Sequence, residues 1–315
     1  MSFLTKDEGT IETKIIKSFM DEQRTSRIWG YTFKFSFLIY LFITSYMYMF
    51  VFDTSAPSIE NKHIGVIDIN GAIGDGAPVD YRALVPSIKA AFEAENSVAV
   101  VLNANSPGGS PAHSDVIYRE LKHYKSQYPE KPLYVVVDDV CASGCIFIAS
   151  AADEILVNRT SMLGSIGVKM QGFGFVGIME KFGVERREIS AGEHKTLMDP
   201  FSPRDLFAEN HLAQSIIAKT HERFIEVVKE GRGDALDQEQ DIFNGLVWSG
   251  QDAIDIGLAD RIGTIYEVTR EFDEIEDQSL HNYTNRPFSF KNFIVGASLS
   301  LFDSLAARND LNVTY

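Results

Sequence analysis

The sequence is poor in cysteine and in clustered positive charge, and each shortage excludes a class of protein. Its 315 residues contain only two cysteines, Cys141 and Cys145. A disulfide framework therefore does not hold the fold together, and two thiols are too few for a structural metal site. Their spacing of four suits packing on one helical face at least as well as bonding, so we expect two reduced, buried thiols.

Basic residues are also scarce. Lysine and arginine total 29 against 44 aspartates and glutamates, which gives a formal net charge of -15 at pH 7. Binding of phosphate backbones needs a basic face, and the sequence has no cluster of lysine and arginine that would supply one. We therefore expect no nucleic-acid partner.

Long hydrophobic runs are limited to one, Tyr31 to Phe52. This run is long enough to cross a hydrocarbon core of roughly 30 Å at about 1.5 Å per residue, which predicts a transmembrane helix. A cleaved signal peptide is the alternative, but the preceding residues are largely polar and no small-x-small cleavage site follows. Basic residues concentrate on the N-terminal side, which predicts a cytoplasmic N-terminus: Lys6, Lys14, Lys17, Arg24, Arg27 and, at the entry of the run, Lys34.

These features predict five regions. Residues 1–30 form a cytoplasmic segment, 31–52 a transmembrane helix, 53–63 a linker, 64–275 a globular domain and 276–315 a tail. The tail contains an amphipathic stretch, Ser289 to Ala307, that could cap an oligomer, lie on the membrane or pack back onto the domain.

The globular region alternates strand and helix patterns, which is typical of an α/β fold. The continuous apolar runs resemble buried strands of a parallel sheet. Predicted strands are Ile64–Ile69, Val98–Asn103, Leu133–Val137, Glu154–Asn158, Ile166–Met170 and Val184–Ser190. Predicted helices are Tyr81–Glu95, Ser114–Tyr124 and one long helix over Pro203–Glu230, with Gly231 just past its end.

Two segments at strand ends could carry chemistry. Gly108 and Gly109 follow the second strand, where N–H groups unobstructed by a Cβ could stabilise an oxyanion, although an ordinary turn has the same sequence. Ser143 lies at a strand-to-helix transition among small residues, which suits a nucleophile as well as a helix N-cap. The residues alone identify no base, because His113, His123 and His194 have no fixed relation to Ser143.

From about Ile64 to Phe272 the chain resembles the signal peptide peptidase A family of serine peptidases. The resemblance rests on an ordered series of motifs. These are SPGG at Ser106–Gly109, ASG at Ala142–Gly144, LGSIGV at Leu163–Val168, MEKFGVE at Met179–Glu185, AGEHKTLMDPFSP at Ala191–Pro203 and LVWSGQDAIDIGLAD at Leu246–Asp260.

The resemblance implies a ClpP/crotonase-like fold of repeated β-β-α units, and a role for each motif residue. Ser143 would be the nucleophile, Lys195 the general base, and Ser165 a hydroxyl that holds the lysine amine. Backbone N–H groups of Gly108, Gly109 and Gly144 would bind the oxyanion. No cofactor or metal is implied. A lysine can act as a base near neutral pH only if its surroundings lower its pKa well below about 10.4.

The resemblance also implies what the protein acts on and how it assembles. Substrates would be extended peptides at the membrane surface, such as remnant signal peptides or misfolded membrane-associated segments. Short members of the family form rings or domes in which neighbouring subunits supply the serine and the lysine. We therefore expect a homo-oligomer whose peptidase domain lies on the extracytoplasmic, periplasmic side of a cell inner membrane.

Two sequence features and two alternative functions bear on this interpretation. Cys145 stands where the family usually has a second glycine, which we expect to alter the pocket without abolishing function. Gly172 to Gly177 match G-x-G-x-x-G, but the context of a dinucleotide site is missing. A catalytically silent scaffold of the same fold, or an acyl-CoA-handling crotonase relative, remains an alternative. The retained Ser143, Ser165 and Lys195 argue against both.

Overall fold

The computed structural model describes residues 17, 20, 24, 29–46, 61–237, 240–272, 275 and 279–284. The chain divides into two compact units, Met1–Ile59 and Glu60–Tyr315. In the first unit residues 29–46 are helical (α1) and their side chains are exposed. Within the described part of the chain, no helix is both long and apolar enough to span a bilayer. Residues 47–52 of the predicted transmembrane run lie outside the described residues.

The second unit alternates strands and helices along the described chain. Its strands are β1 His63–Asn70, β2 Ser97–Ser106, β3 Leu133–Ala142, β4 Glu154–Val157, β5 Met162–Gly164, β6 Val247–Ser249, β7 Arg261–Ile262 and β8 Leu280–Asn282. Its helices are α2 Tyr81–Glu93, α3 Pro111–Gln127, α4 Gly144–Ala149, α5 Val176–Phe182, α6 Leu206–Leu212, α7 Ala218–Arg232, α8 Gly250–Asp255 and α9 Ile265–Thr269.

One mostly parallel sheet collects these strands in the order β6-β5-β3-β2-β1-β8, with β4 beside β3 and β7 beside β4. Strand β3 is long enough to pair twice: its first half pairs with β4 and its last residues pair with β5. Only β5 and β6 are antiparallel among the described pairs. The α/β class predicted from the alternating pattern is therefore confirmed.

The core explains why the central strands are apolar throughout. Val100, Val101 and Leu102 of β2 are fully buried, so both faces of the strand are covered. Helices α2 and α3 pack on the sheet through Phe92 and Leu121, which are also fully buried. Helix α4 has no exposed residue, and this fixes the position of the turn that precedes it.

Two predicted strands are wrong. Residues 166–170 and 184–190 have no strand pairing in the described structure. The first of these segments follows Ser165, whose φ of 54° turns the chain out of line with β5. The second is exposed, with Ile189 fully accessible, so it has no partner strand against which to bury its apolar residues.

The long helix predicted over Pro203–Glu230 is interrupted. A π-helical turn, Ala213–Ile217, separates α6 from α7. Gly231 was predicted to follow the helix, but it lies inside α7, where an added Cβ would come 2.0 Å from the carbonyl oxygen of Ser150. The glycine therefore serves close helix packing, and Gly233, with a φ of 51°, ends the helix instead.

The expectation of reduced cysteines is also wrong. Cys141 and Cys145 form a disulfide, with their Cα atoms 5.1 Å apart, and no other cysteine exists in the chain. The expectation failed because it placed both residues on one helix. Cys141 is instead the next-to-last residue of β3, Cys145 is the second residue of α4, and the turn between them brings the two side chains together.

The sheet continues past the predicted domain end at residue 275. Strand β8 pairs in parallel with β1, and the N–H of Tyr283 donates to the carbonyl of Val66 at 2.8 Å. The first part of the predicted tail thus belongs to the sheet. The amphipathic segment 289–307 lies outside the described residues.

Candidate active site

Ser143 occupies the turn between β3 and α4, in a backbone conformation that is unusual for a residue with a side chain. Its φ is 53° and its ψ is -120°. Its N–H donates to the carbonyl of Gly164 at 2.8 Å, and its own carbonyl accepts from Phe147. The side chain is half-buried and makes no capping hydrogen bond to α4. Non-glycine residues in such conformations cost about 1–3 kcal/mol and are concentrated at functional sites.

The Gly108–Gly109 turn packs directly against Ser143. A Cβ on Gly108 would lie 2.8 Å from the Cβ of Ser143 and 2.7 Å from the nitrogen of Gly144. A Cβ on Gly109 would lie 2.0 Å from the carbonyl oxygen of Ile73, so both positions exclude a side chain. Glycine is therefore required here for close backbone approach.

The predicted oxyanion donors are not equivalent. The N–H of Gly108 donates to the hydroxyl of Ser106 at 3.1 Å. Gly109 and Gly144 both line the cavity beside Ser143. The N–H of Gly144 belongs to the first turn of α4, where such groups have no partner within the helix. Gly109 and Gly144 are therefore the pair best placed to bind an oxyanion.

A small cavity opens beside Ser143, and the sequence had not indicated most of its walls. Ser114 is buried and donates its hydroxyl to the carbonyl of Ser110 at 3.1 Å. Phe147 and Phe224 pack together with ring centroids 5.3 Å apart. The side chains from α3, α4 and α7 are far apart in the sequence, so no local motif indicates that they line one cavity. The lining residues are Gly109, Pro111, Ser114, Ser143, Gly144, Phe147, Gly167, Val168, Thr220 and Phe224.

Ser165 lies next to Ser143 along the edge of the sheet. Ala142 of β3 pairs with Gly164 of β5, so the two serines follow paired residues at the ends of parallel strands. Ser165 is half-buried, and its N–H donates to the carbonyl of Leu246 at 2.6 Å. The structure thus brings together the backbones of the predicted nucleophile and of the predicted auxiliary serine.

Lys195 is not among the described residues that line the cavity beside Ser143. Its side chain is exposed in the turns of residues 191–199. Among the described residues, neither a hydrogen bond nor a shared cavity joins Lys195 to Ser143. The adjacent Thr196 instead lines a second cavity of about 530 Å³, and Val168 belongs to the walls of both cavities.

Ion pairs hold the segment that carries Lys195. His194 bonds to Asp205 through Nδ1, and Arg186 pairs with Asp199. The hydrogen bond to Asp205 raises the pKa of His194 above its usual value. The hydrogen bond from Arg186 lowers the pKa of Asp199. His194 is therefore committed to a carboxylate rather than to Ser143.

The surroundings of the G-x-G-x-x-G motif at Gly172–Gly177 do not fit a dinucleotide-binding site. Gly172 and Gly174 precede the exposed seven-residue helix α5, and β5 ends eight residues earlier, at Gly164. A dinucleotide fingerprint should follow a strand directly and open a longer helix. Across the described part of the chain, no group of three or more His, Cys, Asp or Glu residues could hold a metal ion.

The sequence of this chain matches known proteins over the region that carries the site. The model of peptidase family S49 matches residues 125–279, which include Ser143, Ser165 and Lys195. A putative protease of Synechocystis is 31% identical over 204 residues, which cover 64% of this chain and 70% of that protein. A putative signal peptide peptidase SppA of Enterococcus faecium is 26% identical over 267 residues, which cover 81% of this chain and 76% of that protein.

A longer relative matches as well. A protein of Brucella melitensis named as the Na(+)/H(+) antiporter NhaA is 36% identical over 213 residues, which cover 66% of this chain but only 29% of that protein. The chain therefore spans less than a third of that relative's length. The family match and the protease relatives agree with the arrangement around Ser143: this chain belongs to peptidase family S49, the signal peptide peptidase A family of serine peptidases.

Proposed function

We propose that the protein is a membrane-anchored serine endopeptidase that hydrolyses peptides at the membrane surface with Ser143 as nucleophile and Lys195 as general base. One observation carries the proposal. Ser143 is held in a strained turn at the start of α4, and Gly109 and Gly144 line the same cavity as Ser143. An N-cap serine needs neither the strain nor the glycine turn packed against it.

The proposed reaction is acyl transfer. The Ser143 hydroxyl attacks the substrate carbonyl while the neutral amine of Lys195 takes its proton. The N–H groups of Gly109 and Gly144 bind the oxyanion of the tetrahedral intermediate. The lysine then donates the proton to the leaving amine, and water hydrolyses the Ser143 ester by the same path in reverse. Ser165 would hold the lysine amine close to Ser143.

Assembly supplies the lysine in this proposal. Lys195 is exposed and is not among the described residues that line the cavity beside Ser143, so we assign it to the site of a neighbouring subunit in a homo-oligomer of ClpP/crotonase-like domains. Exposed apolar side chains in residues 170–207, the stretch of chain that contains Lys195, support this assignment, because exposed apolar surface often marks an interface. They include Met170, Phe173, Ile178, Phe182, Ile189 and Phe207.

The substrate would bind as an extended strand. Residues 166–170 have no strand partner within the described chain and run from the cavity at Ser143, through Val168, to the second cavity. A segment without a strand partner can accept a peptide by main-chain pairing, with alternate side chains entering pockets. Remnant signal peptides and misfolded membrane-associated segments have the apolar side chains that such pockets favour.

We place the peptidase domain on the extracytoplasmic side of an inner membrane. The apolar run Tyr31–Phe52, with basic residues before it, supports a single anchor with a cytoplasmic N-terminus. The Cys141–Cys145 disulfide also supports this location, because disulfides persist in oxidising compartments and are rare in the cytosol.

The proposal is tested by hydrolysis of a fluorogenic peptide by the full-length chain in detergent. Ser143→Ala should abolish the activity. Ser126→Ala is the matched control, because its hydroxyl is exposed and donates to the carbonyl of His123. A parent chain that assembles but cleaves no peptide would favour a catalytically silent scaffold. Activity that survives Ser143→Ala would reject this nucleophile.

A further inference from the structure

The disulfide brackets the candidate nucleophile. Cys141 and Cys145 lie two residues before and two residues after Ser143. Cys141 belongs to the end of β3 and Cys145 to the first turn of α4. Both are buried, with exposed fractions of 0% and 1%. The bond therefore ties the strand to the helix across the turn that carries Ser143.

Several non-covalent contacts restrain the turn, and the disulfide is the covalent restraint among them. Ser143 keeps a φ of 53° and a ψ of -120°. Its main chain bonds to Gly164 and Phe147, while its side chain makes no capping bond. Helix α4 has only six residues, and short helices are weakly stable by themselves. A strained residue persists only where its surroundings over-determine it, and the disulfide adds a covalent restraint to these contacts.

We propose that the Cys141–Cys145 disulfide is a positioning device that holds the Ser143 hydroxyl toward the N–H groups of Gly109 and Gly144; this inference rests on the proposed function. Neither cysteine is among the described residues that line the cavity beside Ser143. The bridge therefore acts through Ser143 and not on the substrate. Without it the turn relaxes toward an ordinary N-cap, and a displacement of about 1 Å slows catalysis strongly.

The bridge is a permanent part of the folded site. Both cysteines are buried, so a reductant reaches the sulfurs only when the turn opens. Reduction by a water-soluble phosphine would convert the disulfide to two thiols, while the phosphine takes an oxygen atom from water to become its oxide. Because the chain has no other cysteine, this treatment changes no other bond.

The test is the rate at which a fluorophosphonate labels Ser143 in the full-length chain. The serine oxygen attacks phosphorus, fluoride leaves, and the base takes the serine proton, so no peptide-binding pocket is needed. Loss of folded protein lowers the final extent of labelling, whereas displacement of Ser143 lowers the rate constant. The samples are the parent, Cys141→Ala/Cys145→Ala, Cys141→Ser/Cys145→Ser, and the parent reduced by phosphine.

We expect the rate constant to fall at least about tenfold in every sample without the bridge, with an unchanged final extent. Mass spectrometry after alkylation should show both cysteines unmodified in the parent, because they are disulfide-bonded. Both should be alkylated after phosphine treatment. An equal rate with and without the bridge would overturn the inference and leave the proposed function intact. A parent not labelled at Ser143 would overturn both. If neither cysteine variant folds, the labelling rate constant of the phosphine-reduced parent tests the inference.

Discussion

Ser143 and Ser165 both have a positive φ, 53° and 54°, at the ends of neighbouring parallel strands. The N–H of Ser143 donates to the carbonyl of Gly164, the residue before Ser165. The two hydroxyl-bearing residues are therefore linked through a single peptide group. In the proposed mechanism this link sets where a lysine amine can sit between them.

Replacing Ser165 by glycine separates the role of its hydroxyl from that of its backbone. Glycine adopts positive φ without strain, so Ser165→Gly should keep or raise the temperature of unfolding. Activity should fall about 10- to 100-fold, as expected for loss of a hydrogen bond of roughly 1.5–3 kcal/mol to a charged group. Peptide hydrolysis and thermal unfolding measured together check this. Unchanged kcat in Ser165→Gly would remove the hydroxyl from the mechanism.

Gly109 should tolerate no side chain. In Gly109→Ala the new Cβ would overlap the carbonyl oxygen of Ile73, so the oxyanion turn must move. We expect kcat to fall at least about 100-fold, as for loss of one oxyanion donor. Gly74→Ala is the matched control, since its Cβ would meet only Ala77 and Ser110 at ordinary distances of 3.8 and 4.0 Å. Equal activity of the two variants would argue against this turn as the oxyanion site.

The ion pair between Arg232 and Asp260 should dominate stability among the described charges. Arg232 is buried, with an exposed fraction of 8%, and donates to both carboxylate oxygens at 2.9 and 2.7 Å. Asp260→Ala leaves this charge uncompensated and removes the acceptor for the N–H of Ile155. We expect a loss of about 3–5 kcal/mol in the free energy of unfolding.

Denaturant unfolding measures this loss against an exposed pair. Glu93→Ala breaks the surface contact of Lys89 and Glu93 at 3.8 Å and should cost less than about 1 kcal/mol. Similar losses in the two variants would show that burial does not govern the strength of these pairs.

The protonation of His194 should depend on Asp205. The hydrogen bond to Asp205 raises the pKa of His194. The contact therefore stabilises the segment fully at pH values below the pKa of His194 in the unfolded chain. This stabilisation is lost as the pH rises through the pKa of His194 in the folded chain. Asp205→Asn should bring the pKa back toward its usual value, as followed by NMR titration of the imidazole. Asp199→Asn, which breaks the pair with Arg186, should leave it unchanged. The prediction fails if His194 titrates identically in all three chains.

Local patterns predicted the parts of the fold that depend on burial. The runs at Ile64, Val98 and Leu133 are apolar because their strands are covered on both faces, and each forms a strand of the sheet. The Gly108–Gly109 turn and Ser143 were found because both follow such strands directly. The ends of parallel strands meet at one edge, which places both segments in the same site.

Patterns failed where a distant contact decides the structure. Gly231 was predicted to follow a helix end, although it lies within α7, where the absence of a side chain lets the helix pack against the carbonyl of Ser150. The cysteine spacing was taken for a helical face, although the Ser143 turn reverses the chain between the two residues. Phe147 belongs to α4, whereas Thr220 and Phe224 belong to α7, so their meeting beside Ser143 has no signal in the sequence.

The most direct test of the account measures peptide hydrolysis against pH for the parent, Lys195→Ala, His194→Ala and Lys181→Ala, each as the full-length chain. We predict that only Lys195→Ala loses activity, since Lys181 is a surface lysine of α5 and His194 is bound to Asp205. Co-expression of Ser143→Ala with Lys195→Ala should restore about a quarter of the parent rate, because random mixing in a closed ring pairs an intact serine with a neighbour's intact lysine at one interface in about four. Full activity of Lys195→Ala at every pH would contradict the Ser/Lys mechanism.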